Sequence, residues 1–327
     1  MNFYTQHKHY CGIDLHAKAM YVCILDQSGT ILVHKNRPTT PGIFARHCSL
    51  SRGCGRRCRV YLHVVVARGP PCDRRHCLCL GACPLYEGDS GGKAKNDKID
   101  AHKIAVLLRG GMFPQAYVYP AAMRATRDLL RRRCHLVRKR AELLAHIQNT
   151  NSQYHLSEIG KKLAYQAKRE GVEEHFPDPS VRKTIAVEVS LIDHYDKVLG
   201  EGELYLTRSA KAHDVQTFSR LHSVPGSGQI LALVMLYEIQ DLARFPRVQD
   251  FVSYCRVVKC AKESTGKRLD TSGKKIGNVH LRWAFAEAAV LFLRHNQPGK
   301  EYFAKLAHKH GKATALTGLA HKLGRAV

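Results

Sequence analysis

The chain has 327 residues, with 52 Lys and Arg against 27 Asp and Glu, a formal net charge of +25 at pH 7. That length accommodates two or three domains, each with its own core. The charge points to a polyanionic partner, nucleic acid before any other, while no apolar run reaches the ~18 residues that span a bilayer and no basic amphipathic anchor or lipidation signal stands out. Met1 to Tyr10 is polar and His-rich without the apolar core of a signal peptide, which predicts a cytoplasmic protein.

Residues 9 to 35 begin with Tyr10-Cys11-Gly12-Ile13-Asp14-Leu15-His16, then Met20 to Asp26 and a Ser28-Gly29 turn. This pattern predicts a β-hairpin with Asp14 partway along its first strand, extended by a third strand through Thr30 to Val33. From about Phe44 the composition changes: Arg46 to Cys83 is rich in Arg and Cys and holds Asp73 as its one acid. Only Val60 to Ala67 reads there as a buried strand. Seven of the twelve cysteines fall between Cys48 and Cys83, but their spacing lacks the paired C-x2-C knuckles of a zinc ribbon.

The abrupt change suggests a shifted reading frame across residues 44–90. A DNA that encodes Leu80 to Ser90 gives, one base displaced, the strand-and-turn peptide L-G-H-A-L-Y-M-K-A-I-H. Normal composition returns near Gly91, in K-A-K-N-D-K-I-D-A-H (Lys93 to His102) followed by Ile104 to Leu108. Asp97 and Asp100, three apart at a helix start, fall on one face, and Gly110-Gly111 would stop that helix. The pair reads either as half of a site for a hard cation such as Mg²⁺ or as an N-cap aspartate with a second acid complementing the helix dipole. A strand carboxylate at Asp14 facing this pair would make a two-metal phosphoryl-transfer site of the ribonuclease-H-like kind.

From Tyr119 a long helix is expected, with Met123, Leu130, Val137 and Leu144 recurring every seven residues. Arg131, Arg132 and Arg138 lie among the arginines between them, either as a solvated face or as a phosphate-facing one. Residues 155–179 read as a linker or mobile loop, and a second helix from Ser180 to about Leu206 is expected to fold back on the first. Ser223 to Gln229 (S-V-P-G-S-G-Q) precedes an apolar helix, Ile230 to Ile239, so Gly226 and Gly228 mark either a helix-hairpin-helix-like phosphate site or an ordinary turn. A short helix ending at Cys255 leads into a polar loop carrying Lys262, Ser264, Lys267 and Arg268, and then into a helix from His280 to Arg294. Ser264 reads either as a nucleophile assisted by those cations or as part of a phosphate-binding loop without chemistry.

Together, G-I-D-L-H-A-K, G-G-K-A-K-N-D-K-I-D-A-H-K-I-A, S-V-P-G-S-G, F-V-S-Y-C-R, K-E-S-T-G-K and S-G-K-K-I-G-N-V-H-L-R resemble the insertion-sequence 110 family of transposases (Piv/MooV-type, DEDD), over residues 9 to about 43 and 91 to 327. The resemblance implies an α/β plus all-α protein. Its parts would be a ribonuclease-H/RuvC-like domain over 1–118, a coiled-coil helical region over 119–212 and a helical C-terminal transposase domain over 213–327. It further implies magnesium-dependent recombination of an insertion element, DNA and a structured guide RNA as partners, and a homo-oligomer (dimer or tetramer). The acidic tetrad of the family falls on Asp14, Asp97 and Asp100, which would hold Mg²⁺, and its nucleophilic serine on Ser264.

One position departs from the pattern. The family places a glutamate just after a strand, where this chain runs from Val64-Val65-Val66-Ala67 into Arg68-Gly69-Pro70. An arginine there would repel the cations that the acids attract, so the sequence suggests descent from an active transposase with loss of activity. The rival readings are a Holliday-junction-type nuclease with water as nucleophile and a non-catalytic nucleic-acid-binding remnant.

Overall fold

The computed structural model describes residues 9–16, 18–39, 59–63, 77–80, 96–113, 117, 119–157, 159, 161–258, 262–264, 267–269 and 277–327. It divides into two compact units, Met1–Val118 and Tyr119–Val327. Among the described residues the first is a β-sheet carrying one helix, and the second is almost entirely helical. Among the described residues no helix is long and apolar enough to cross a membrane.

In the first unit, β1 (His9–Leu15), β2 (Ala19–Asp26) and β3 (Ile31–Pro38) form the expected antiparallel meander. Asp26 shapes the β2–β3 turn by accepting bonds from Ser28 Oγ (2.6 Å) and from the backbone N–H groups of Gly29 and Thr30 (both 2.9 Å). Two more strands, β4 (Arg59–His63) and β5 (Cys77–Leu80), extend the sheet in parallel beside β1, giving the order β3-β2-β1-β4-β5. The sequence expectation of a strand from Val60 is met by β4 through His63, and residues 64–76 lie outside the described residues. β5 has no counterpart among the sequence expectations, because four residues are too few to show a clear alternation.

Helix α1 (Asp97–Arg109) packs on this sheet. Its buried Ala101 and Ala105 meet Cys23 and Leu25 of β2, which lie across from Gly12 and Tyr10. Gly12 is where helix and strand come closest: a Cβ there would stand 2.2 Å from the Ala101 carbonyl oxygen and 2.6 Å from the Ala105 nitrogen. Only glycine permits that approach. The opposite sheet face, with Ile13, Met20 and Val22, is also buried.

The second unit opens with α2 (Ala121–Gln153) and α3 (Pro179–Ser223), the latter broken at Asp214, whose backbone is non-helical. Between them, residues 155–179 are not a linker. They form 3₁₀ turns at Lys161–Ala164, Gln166–Lys168 and Val172–His175, and Leu163, Val172 and Phe176 pack with Ile147 of α2 and Ile185 and Ile192 of α3. Arg169 is buried with them and donates to Asp193 and Asp196, while Arg140 reaches Asp196 from α2. So few apolar anchors among polar residues leave no period to read, although all three are buried.

Helix α4 (Gln229–Ile239) is the centre of this unit, with every residue from Leu231 to Ile239 buried. A helix that is apolar on nearly every side must be covered all round, and its one acid, Glu238, is buried with the rest. Around it lie α2 and α3 through Leu130, Leu206 and Phe218, α5 (Val248–Tyr254), α6 (Val279–His295) and α8 (Lys312–Ala326), the last preceded by α7 (Gln297–His310). The expected polar loop around Ser264 is a small hairpin, β6 (Lys262–Ser264) with β7 (Lys267–Leu269), in the register Ser264 opposite Lys267. Local pairing of two three-residue strands satisfies the backbone without leaving a hydrophobic alternation in the sequence.

Phe176 is fully buried between α2, α3 and the 3₁₀ segment. Phe176→Ala is expected to cost about 3–5 kcal/mol in urea unfolding at neutral pH, and a loss below about 1 kcal/mol would contradict the packing of Leu163, Val172 and Phe176 against α2 and α3.

Candidate metal centre

Asp14 projects from the same face of β1 as Gly12, because strand side chains alternate with a period of two. The gap left by Gly12 seats α1 against that face, and the first turn of the helix therefore lies beside Asp14. Asn96, not Asp97, is the N-cap: its side chain accepts from the Ile99 N–H (2.9 Å). That leaves Asp97 in the first turn with its carboxylate turned outward. The start of the helix is further held where His34 Nε2, on β3, lies 3.1 Å from the Lys98 carbonyl oxygen.

His16 completes the group. Its backbone is fixed by its own N–H to Ala19 O (2.9 Å) and by Thr39 Oγ1 donating to its carbonyl (2.8 Å). Its Nε2 lies 3.7 Å from Asp14 Oδ2 and 3.5 Å from Asp97 Oδ1. One ligand atom from each of the three falls within 4.8 Å of the others. Asp14 is buried, whereas His16 and Asp97 are exposed, so the group is open to solvent on one side. Asp100 is half-buried, three residues further along α1, and outside this set. The sequence reading overlooked His16, although Asp-x-His at the end of a strand is the signal for it, since residues two apart share a face.

Two carboxylates are donors for a hard cation such as Mg²⁺ or Mn²⁺, and an imidazole nitrogen shifts preference toward a first-row transition metal. The donor set thus fits a divalent ion. The position expected for a fourth acid, after Val64 to Ala67, lies outside the described residues.

The other expected site residues lie in the second unit. Ser264 ends β6, with Lys262 on the same strand and Lys267 and Arg268 on β7. The chain leaves α5 and returns to α6 around this hairpin, and its two ends are tied together where Asn278 N–H donates to Tyr254 O (2.7 Å). Gly277, at φ +89°, is needed there, since a Cβ would stand 2.5 Å from that same carbonyl oxygen. Asn278 also caps α6 through Leu281 and His280 and donates to Glu238 (2.8 Å).

Glu238, 1 % exposed, is the polar centre of the helical unit. Arg131, expected on a phosphate-facing surface, directs Nε and Nη2 to its carboxylate at 2.6 and 2.9 Å, and Arg127 Nε donates at 3.0 Å. Arg132 and Arg138 are exposed. Burial pushes the Glu238 carboxyl up, but the bonds from Arg131, the charges of Arg127 and Arg131 and the bond from Asn278 outweigh it and hold the group below its ordinary range. Gly226 (φ +85°) packs so closely on α6 that a Cβ would stand 2.4 Å from Ala288 O, a structural reason for glycine there. Gly228 caps α4 without a side-chain bond, and the buried hydroxyl of Ser227 beside it has no hydrogen-bond partner among the described residues.

Comparison with known proteins bears on both units. Residues 218–304, from the end of α3 through α6 into α7, match the profile of the transposase IS116/IS110/IS902 family. The transposase for insertion sequence element IS1111A of Coxiella burnetii (strain RSA 493 / Nine Mile phase I) is 26% identical over 242 residues, 70% of this chain and 64% of the relative. This chain is similar to insertion-sequence transposases. It spans somewhat less than two thirds of the length of the curated relative it matches.

Two outcomes follow from the geometry. Asp14→Asn and Asp97→Asn are each expected to weaken Mn²⁺ binding at least about tenfold in isothermal titration, in the range seen when ligand sets are disturbed; equal affinity in the variants would rule the cluster out as the ion's site. For Glu238, the folded carboxyl titrates below the unfolded one, so its stabilisation is present above the ordinary glutamate range and is lost as pH falls through the lowered value. Glu238→Gln should therefore cost roughly 3 kcal/mol at pH 7, the lower end for a broken buried pair because Arg131 is partly exposed. Urea unfolding at pH 7 and pH 4 should show the gap between wild type and variant closing on acidification, and a constant gap would contradict the assignment.

Proposed function

We propose that this protein is a metal-dependent DNA transposase of an insertion element, or the direct descendant of one. The observation that carries the reading is the convergence of Asp14 from a strand with Asp97 from a distant helix, in a chain similar to insertion-sequence transposases. The mixed sheet with a central first strand bearing Asp14 supports a ribonuclease-H/RuvC-like first unit. In this reading Asp14 and Asp97 hold the ion, with His16 beside them. Asp100 sits one turn further along α1 and would orient water or a second ion.

A divalent ion held there would supply Lewis-acid stabilisation of charge on a scissile phosphate. Asp14, fixed on the sheet, and Asp97, fixed by the Asn96 cap, keep that position constant in the way preorganised sites require. Ser264 is the proposed nucleophile of the second unit. Its Oγ gives up its proton to solvent as it forms a bond to phosphorus, the P–O bond to the leaving strand breaks, and the leaving oxygen takes up a proton in exchange. Lys262, Lys267 and Arg268 offset the charge that develops. DNA is the substrate in this account, with Arg132 and Arg138 on exposed helix surface as phosphate contacts, and with a structured guide RNA and a homo-oligomeric assembly as the partners the family resemblance implies.

A second reading has its own observation in its favour. Where the family pattern places a fourth acid, this chain has Arg68-Gly69-Pro70. On this second reading the protein binds nucleic acid and does not cut it. Incubation with supercoiled plasmid, a cognate element end, RNA transcribed from that element and Mn²⁺ separates the readings. A covalent protein–DNA adduct that is lost in Ser264→Ala, with DNA binding retained, supports the serine transposase. Free-ended cleavage without an adduct makes the enzyme a nuclease using water, and binding without cleavage makes it the remnant.

A further inference from the structure

Most arginines that look free in the sequence of the long helices are spent inside the helical unit. Arg127 and Arg131 meet Glu238, Arg133 meets Glu203, and Arg140 meets Asp196. The tip of the α7–α8 hairpin is different. Lys305 and Lys309 stand one turn apart on α7, His308 and His310 lie in its last turn, Gly311 reverses the chain, and Lys312 opens α8. The side chains of Lys305, His308, Lys309, His310 and Lys312 are all exposed, and no ion pair among the described residues engages Lys305, Lys309 or Lys312.

From Gln297 to Val327 the Lys and Arg residues are Lys300, Lys305, Lys309, Lys312, Lys322 and Arg325, opposed by Glu301 alone. Glu301 sits one turn before Lys305 and offsets part of that charge. The basic residues ending α7 complement the dipole of that helix, but Lys312 does the reverse. It places a cation at the positive end of α8, where Gly311 gives no side-chain cap and the first turn carries no acid. That local cost is removed when an anion lies against the tip.

The remaining surface of the hairpin decides the kind of anion. Ala315, Leu319, Ala320 and Leu323 of α8 are buried in the core of the unit, and no large apolar side chain is exposed among the described residues from 296 to 327. A lipid surface would need an apolar face beside the cations, and none is left. A polyphosphate backbone needs only the spaced cations.

We infer that the α7–α8 tip, through Lys305, Lys309 and Lys312, contacts a nucleic-acid phosphodiester backbone. The tip begins one residue past the segment that matches the transposase family profile, and the contact requires no catalytic step, so it goes beyond the proposed reaction. Fluorescence anisotropy of the full chain with a 30-base-pair duplex DNA and with a structured RNA hairpin, each across a range of KCl, tests it. Lys305→Gln/Lys309→Gln/Lys312→Gln should lower affinity about tenfold or more near 0.1 M salt and reduce the slope of log K against log salt by about two to three, roughly one per lysine. A charge-matched control, Lys183→Gln/Lys197→Gln/Lys211→Gln on exposed positions of α3, should leave the slope unchanged. Loss on DNA alone assigns the tip to DNA, loss on RNA alone assigns it to RNA, and loss on both assigns it to the shared backbone. No change on either ligand, or an equal change in the control, overturns the inference, with circular dichroism melts confirming that all variants are folded.

Discussion

The missing side chain of Gly12 is the constraint from which the candidate site follows. It lets α1 lie directly on β1, with backbone atoms of Ala101 and Ala105 where a methyl group would otherwise stand. Two residues along the strand, Asp14 shares that face, and the Asn96 cap begins the helix there. The carboxylates of Asp14 and Asp97 are thereby held close to one imidazole nitrogen. Like charges so placed repel unless a cation lies between them, and the cluster offers a divalent ion that position. A helix lifted by even one methyl group would leave Asp14 on the sheet and carry Asp97 away from it.

Positive charge in the helical unit falls into two populations with different physics. Arg127, Arg131, Arg140 and Arg169 are tied to carboxylates, two of which, those of Glu238 and Asp196, are each shared by two guanidiniums. Glu238 compensates its own desolvation through these bonds and, by way of Asn278 and Tyr254, ties the start of α6 to the end of α5. The chain between those two helix ends carries the Ser264 hairpin, so the buried carboxylate fixes the frame from which that hairpin projects. The other cations, at exposed positions such as Arg132, Arg138 and the α7–α8 tip, remain available to a polyanion. Net charge counts both populations alike, and only structure separates them.

Much of the first unit was legible in the sequence because its signals are local. Alternation gave β1 to β3, Gly110-Gly111 ended α1 where expected, and the acids of the first turn were plain to read. The identity of the cap was less so, since Asn96 and Asp97 are both capping residues and only the Ile99 N–H distinguishes them. His16 escaped notice because it lies just beyond the strand that orients it. The parallel pairing of β4 and β5 with β1 depends on contacts distant in sequence, which no local pattern encodes. The segment from 155 to 179 was misread for a different reason: 3₁₀ turns have no apolar stripe, so Leu163, Val172 and Phe176 looked isolated until tertiary packing joined them. Arg131 shows the converse, a residue whose surface appearance in a heptad pattern is reversed by one buried acid on another helix.

The family profile covers residues 218–304 and the acids lie before residue 101, so that profile and the geometry of the acids come from different parts of the chain. Their agreement rests on the ion. Diffraction from crystals soaked in MnCl₂, recorded near the manganese absorption edge, measures this directly. The account requires an anomalous peak within coordination distance of Asp14 and Asp97 carboxylate oxygens, about 2.0–2.3 Å. A fully soaked crystal with no peak there, or with His16 Nε2 bridging the two acids and the manganese bound elsewhere, would contradict it.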